Sequence, residues 1–252
     1  MSKKLIVGNW KMNPQSSKDA EKLFKSISQE SKKYADVSVA ICAPAVFIPA
    51  ISKVLQKKVA IGAQNVFYEM TGAYTGEVSA EMLKSFKTKF SLVGHSERRK
   101  MGETNEDCNK KIIALLKNGI TPILCVGEKE RTEDISYLVF VYNQLKESLL
   151  NIPKSKITDV VIAYEPVWAI GKNAPRAATP EECKEMVLYI RKVIADMTDP
   201  KTAHSMRVMY GASVSPADAP GLLSSGVDGL LVGRDSLDAK KFASIIRSAS
   251  KK

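Results

Sequence analysis

A carboxylate locked against a proline, Glu165 in the stretch AYEPVWAIG, follows directly on the apolar run DVVIAY. Two further stretches carry complementary groups: GNWKMN holds Asn9 and Lys11, and GHSERR holds His95, Ser96 and Glu97. A carboxylate can serve as a general base, an imidazole as an acid or electrophile, and a lysine as a fixed cation. Two glycine-containing turns, YGASV (210–214) and VGRDSL (232–237), add open backbone amides of the kind that bind phosphate. Taken singly, each residue has a plainer reading. A strand-end Glu is ordinarily a solvated carboxylate, a lone His a hydrogen-bonded structural residue, and a Lys a surface charge. His204, in the polar segment DPKTAHSM, keeps that plainer reading, and Trp10 and Trp168 read as packing beside the site. Any joint chemistry depends on a fold that brings these stretches to one place.

The rest of the chain supplies such a fold. Short β-branched apolar runs occur at KLIVG (4–8), VSVAIC (37–42), KVAIGA (58–63), FSLVG (90–94), ITPILCVG (120–127), DVVIAY (159–164), MRVMYG (206–211) and GLLVG (229–233). They alternate with amphipathic helical segments near 16–33, 44–56, 79–87, 105–118, 134–150, 179–197, 216–225 and 237–249. Runs that are apolar throughout, rather than at alternate positions, point to a parallel sheet covered by helices. Eight β-α units in 252 residues fit a closed (β/α)8 barrel, a single domain over 1–252, and no linker or charge block divides the chain. An open doubly wound sheet is the alternative, but no G-x-G-x-x-G follows the first run. A closed barrel of this kind builds its site at the C-terminal strand ends. Asn9 and Lys11 follow strand 1, His95 to Glu97 follow strand 4, Glu165 follows strand 6, and the glycine turns follow strands 7 and 8. The topology thus gathers every one of them at a single mouth.

Composition narrows the function classes. With 44% hydrophobic and 26% charged residues, the chain has the make-up of a soluble globular protein with a large core. No apolar run approaches the roughly 18 residues of a membrane span, and the apolar core of MSKKLIVGNWKMN is too short for a signal peptide. A cytoplasmic chain with no membrane partner is expected. Cys42, Cys108, Cys125 and Cys183 show neither C-x-x-C pairing nor disulfide-like spacing, so reduced, mostly buried thiols are expected. The net charge of +11 is the unusual number. Its lysines are scattered along helical segments and alternate with acids, with no aromatic-interleaved basic tract. That pattern reads as a solvated surface with a modest attraction for a small anion, and no nucleic-acid partner is expected.

Set in order, GNWKMN, AQN (63–65), GAYTGEVS (72–79), GHSERR, CVGE (125–128), AYEPVWAIG, YGASV and DGLLVG resemble the motif set of the triosephosphate isomerase family, from first strand to last. The resemblance implies interconversion of dihydroxyacetone phosphate and D-glyceraldehyde 3-phosphate through an enediol(ate), with no cofactor and no metal. It implies Glu165 as the base, with His95, Lys11 and Asn9 donating to the carbonyl oxygen; the pairing of a carboxylate with a neutral imidazole is this family's known arrangement. His95 stands just before an expected short helix whose dipole favours the neutral ring. Glu97 would steady the Lys11 ammonium or relay protons. A lid over about 166–178, hinged at PVW, would cover the intermediate, with Gly171, Ser213, Gly233 and Arg234 offering amides to the phosphate. The loop GAYTGEVS would reach into a second copy of the chain, Thr75 bracing Asn9 and Lys11 there, so the resemblance implies a homodimer.

The chain departs from the family at the lid and two turns. Where the family has Gly-Thr-Gly-Lys, residues 171–176 read Gly-Lys-Asn-Ala-Pro-Arg, about two residues longer, and Pro175 and Arg176 suit an exposed turn. Ala212 replaces a glycine of YGGS and Arg234 one of VGG, which keeps the amides and reduces backbone freedom. The loop after CVGE is also short. Another phosphosugar isomerase, or an aldolase, on the same barrel is an alternative, although an aldolase would want a lysine where strand 6 carries Glu165. A non-catalytic phosphate-binding protein is the other.

Overall fold

Eight parallel strands close on themselves in chain order: β1 Leu5–Asn9, β2 Ser38–Ala43, β3 Val59–Ala63, β4 Phe90–Val93, β5 Thr121–Val126, β6 Val161–Tyr164, β7 Arg207–Tyr210 and β8 Gly229–Val232. Each lies within two residues of its apolar run, and closure of β1 on β8 disposes of the open doubly wound alternative. The computed structural model describes residues 3–55, 58–171 and 174–251. Lys172 and Asn173 of the expected lid tip lie outside the described residues, as do position 56 of the helix expected at 44–56 and the ends of the expected domain at 1, 2 and 252.

Two cores explain why the runs are apolar throughout. Leu5 and Val7 of β1, Cys42 of β2, Cys125 of β5 and Val161 and Ala163 of β6 belong to a cluster inside the barrel. The residues between them, among them Ile6, Ile41, Leu124 and Ile162, pack outward under the helices. Alternation then carries one step further. Asn9 follows Leu5 and Val7, and Glu165 follows Val161 and Ala163, so both side chains arrive at the mouth on the inward face.

The outer layer is made of α1 Ser17–Ser31, α2 Ile48–Lys53, α3 Ala80–Ser85, α4 Ser96–Lys100, α5 Asn105–Lys117, α6 Ser136–Ser148, α7 Lys154–Ile157, α8 Pro180–Met197, α9 Pro200–Ser205, α10 Ala219–Ser224 and α11 Ala239–Ala249. Thr104 and Thr179 open α5 and α8 with capping boxes, completed by Asp107 and Glu182. Two short helices, α7 and α9, depart from the expected pattern. Helix α9 turns the polar segment around the exposed His204 into a helix, started by the Asp199 side chain capping Thr202 N–H and by Pro200 in the first turn. All four cysteines are free and buried. Cys42 and Cys125 sit inside the barrel, Cys108 and Cys183 on the buried faces of α5 and α8. Burial pushes the Cys108 thiol up to about 12 and the Cys183 thiol up to about 11. Among the described residues no helix is long and apolar enough to cross a membrane.

Candidate active site

Glu165 is 1% exposed at the end of β6. Its N–H donates to Val126 O at 2.7 Å, extending the β5–β6 ladder by one step, and its Oε2 accepts from the Ser96 N–H at 3.1 Å. Oε1 lies 3.4 Å from His95 Nε2 and is buried with no hydrogen-bond partner. The position depends on Gly127. A Cβ there would lie 1.9 Å from Glu165 O, so only glycine lets the end of β5 pass against the backbone of the carboxylate residue.

His95 reaches the same point by a different turn. Gly94, at φ +68°, bends the chain out of β4, and the Arg99 Nε donates to its carbonyl at 2.7 Å. His95 then caps α4, its Nδ1 accepting from the Glu97 N–H at 3.2 Å. A nitrogen that accepts carries no proton, so the hydrogen bond places the ring proton on Nε2, the nitrogen facing Glu165.

Lys11 sits at φ +52°, a left-handed conformation that costs a residue with a side chain on the order of 1 kcal/mol. Gln64 holds it there, its Nε2 donating to Lys11 O at 2.8 Å and to Cys42 O at 3.0 Å. The Lys11 N–H donates to Asn9 Oδ1 at 3.0 Å, which leaves the Asn9 amide NH₂ as a donor. Lys11 Nζ meets Glu97 Oε1 at 2.6 Å. Burial raises the Glu97 pKa, but the Lys11 hydrogen bond and charge outweigh it and hold the carboxyl below its ordinary value.

A partly buried ion-pair cluster joins α4 to α5. Glu103 accepts from Arg98 Nε at 3.1 Å and Lys111 Nζ at 2.9 Å, and also from the Gly94 N–H at 3.2 Å. The sequence held one sign of it: Lys111 shares a helical face with the buried Cys108, Ile112 and Leu115, where an unpaired lysine would be costly. Glu128, the last residue of CVGE, is another site residue that sequence reasoning missed. It is 1% exposed, and its Oε1 accepts from Tyr164 OH and from Trp168 Nε1, each at 2.8 Å, while its carbonyl accepts from the Val167 N–H at 2.9 Å. Burial, and then the Glu128 charge, drive the Tyr164 hydroxyl pKa far upward, so it remains a donor. The PVW segment, where a lid hinge is expected, is thereby tied to the end of β5.

Asn9, Lys11, Gly171, Ser213, Gly233 and Arg234 line one cavity of about 580 Å³. His95 and Glu97 share with Asn9 and Lys11 a second, of about 360 Å³, while Glu165, turned toward Ser96, lines a third of about 490 Å³. Ser213 Oγ donates to Ala169 O at 2.9 Å, joining the turn after β7 to the segment that follows β6. Neither Ala212 nor Arg234 has a positive φ, so their side chains bring no left-handed strain. Thr75 stands exposed in the loop after β3, within an exposed run over 71–77, and Tyr74 beside it is 45% exposed. Among the described residues no group of three or more His, Cys, Asp or Glu could hold a metal ion.

Pro175 and Arg176 are exposed, as a turn should be, yet Arg176 is engaged. Its guanidinium lies 4.7 Å from the Trp168 ring centroid and binds both Glu182 oxygens, at 2.8 and 2.6 Å. The same pairing pulls the Glu182 carboxyl down to about 2. Arg176→Ala should uncover Trp168 and shift its emission to longer wavelength without ligand, against a constant contribution from the fully buried Trp10. Unchanged steady-state emission would show that the guanidinium does not cover the ring.

A closed (β/α)8 barrel with carboxylate, imidazole and lysine at its mouth, beside a cavity walled by glycine turns, is the architecture of a barrel enzyme acting on a small anion. A family model described as triosephosphate isomerase matches residues 4–249. The chain belongs to the triosephosphate isomerase family. It is 41% identical over 253 residues to a triosephosphate isomerase of Cytophaga hutchinsonii, covering 98% of this chain and 100% of that one. Identity is 41% over 251 residues to that of Thermoanaerobacter pseudethanolicus (98% and 99% covered) and 40% over 252 residues to that of Dictyoglomus thermophilum (98% and 100% covered).

Proposed function

We propose that the chain, acting as one catalytic domain, interconverts dihydroxyacetone phosphate and D-glyceraldehyde 3-phosphate, with Glu165 moving the proton. The observation that carries this reading is the buried Glu165 carboxylate, its Oε1 3.4 Å from His95 Nε2. Glu165 leaves the Ser96 N–H, takes a proton from the carbon beside the substrate carbonyl and returns it to the neighbouring carbon, while the hydroxyl proton passes to the former carbonyl oxygen by way of the His95 imidazole, so that carbonyl and hydroxyl exchange places. Negative charge builds on the carbonyl oxygen meanwhile, and the His95 Nε2–H, the Lys11 ammonium and the Asn9 amide donate to it. Glu97 keeps Lys11 oriented. Amides at Gly171, Ser213, Gly233 and Arg234 hold the phosphate. The reaction changes neither the atoms nor the overall oxidation level of the substrate, so it calls for no redox cofactor. A coupled assay with glyceraldehyde 3-phosphate tests this reading. Binding of the triose phosphate without isotope exchange at its carbons would favour a phosphate-binding protein instead.

The working unit is a homodimer, and its place is the cytoplasm, where four free thiols suit a reducing compartment. Met12 and Met101 line the cavity shared by His95 and Lys11 and are 86% and 71% exposed, which supports a partner loop seated there. Replacing Thr75 and Gly76 with bulky charged residues should give monomers of little activity, because nothing then braces Asn9 and Lys11 from the neighbour. Sedimentation with activity measurement decides it: a fully active monomer removes the cross-subunit role of Thr75.

A further inference from the structure

We propose that the Arg234 side chain, and not its backbone amide alone, binds the phosphate group of the substrate. The inference rests on the proposed function and deepens it. Arg234 opens the 3₁₀ turn Arg234–Leu237 after β8 and lines the cavity shared with Gly171, Ser213 and Lys11. The charges on that wall are otherwise committed. Lys11 Nζ lies 2.6 Å from Glu97 Oε1, Asp218 Oδ2 accepts from Ser215 Oγ at 2.6 Å, and Asp235 faces Lys241 at 3.6 Å. The Arg234 side chain is exposed and, among the described residues, forms neither a hydrogen bond nor an ion pair.

An uncommitted guanidinium at this wall has a chemical preference. Its planar fork of N–H groups matches two oxygens of a phosphate dianion, and its charge persists at every physiological pH. The backbone at 234 is not left-handed, so the side chain is carried without strain. Because the guanidinium stands on a turn fixed to β8 rather than on the lid, it meets the phosphate before closure as well as after. Its contribution therefore goes mainly to binding substrate and transition state alike, which is read in KM more than in kcat.

The experiment measures inorganic phosphate binding by calorimetry, and competitive inhibition by phosphate, for the wild-type chain, Arg234→Gln and Arg234→Lys across a range of ionic strength. Arg234→Gln should weaken phosphate binding about tenfold and flatten its dependence on salt. Arg234→Lys, which keeps the charge and loses the fork, should fall between, about threefold weaker than wild type. The substrate KM should rise in the same order. Arg234→Gln binding phosphate as tightly as wild type, with the same salt dependence, overturns the assignment and leaves the isomerase reading untouched. A wild-type chain that fails to isomerise yet loses phosphate affinity on Arg234→Gln supports the assignment and sinks the isomerase reading.

Discussion

Glu165→Gln should lower kcat by several orders of magnitude while KM moves far less. The amide keeps the volume of the carboxylate, and its carbonyl oxygen can still accept from the Ser96 N–H that now holds Oε2 at 3.1 Å. What it loses is the ability to take a proton from carbon, and that loss falls entirely on the chemical step. Substrate binding, which draws on the phosphate turns and Lys11, has little to change. Steady-state kinetics on the purified variant gives the answer. Retention of more than about a tenth of wild-type turnover, equivalent to only about 1.4 kcal/mol, would mean that Glu165 is not the base.

Gly127→Ala should damage both stability and activity. The added methyl would sit 1.9 Å from Glu165 O and 2.4 Å from its carbonyl carbon, and both atoms belong to backbone that no rotamer change can move aside. Relief requires β5 and β6 to part at the mouth. Parting them threatens the Glu165 N–H bond to Val126 O at 2.7 Å and the Gly127 N–H bond to Gln144 at 2.8 Å. A loss of about 3 kcal/mol in unfolding free energy is expected from such overpacking, measured as a shift in denaturant midpoint. In the fraction that folds, displacement of the carboxylate by about an ångström should cost about a hundredfold in kcat. A wild-type midpoint would show that the two strands do not approach so closely.

Both sites of substitution lie on features of different legibility. Glu165 could be placed from sequence because strand ends are local: once DVVIAY is read as a buried strand, the carboxylate follows at its C-terminal end, although a run apolar on both faces does not show which face it takes. The same holds for Asn9 after the first run. The supports could not be read this way. Glu128 meets Trp168 40 positions later, and Gln64 meets Lys11 53 positions earlier, so no local pattern links the partners. Arg176 was legible as an exposed turn residue but not as a clamp on Trp168, because turn chemistry predicts backbone and says nothing of where a long side chain comes to rest. Helices α7 and α9 escaped for another reason: each is too short for a hydrophobic period to develop, and only the Asp199 and Pro200 start signal marks the second.

The four enclosed sulfurs turn the molecule into its own unfolding gauge. Alkylating reagents attack the thiolate, and burial keeps a thiol such as Cys183 protonated at pH 7, behind packed side chains. Labelling therefore waits for an opening event, and its rate counts how often that event occurs. Cys42 and Cys125 lie within the strand cylinder, Cys108 and Cys183 in the helical jacket. Mass spectrometry of the modified peptides would thus time the loosening of jacket and cylinder separately, with no probe engineered into either.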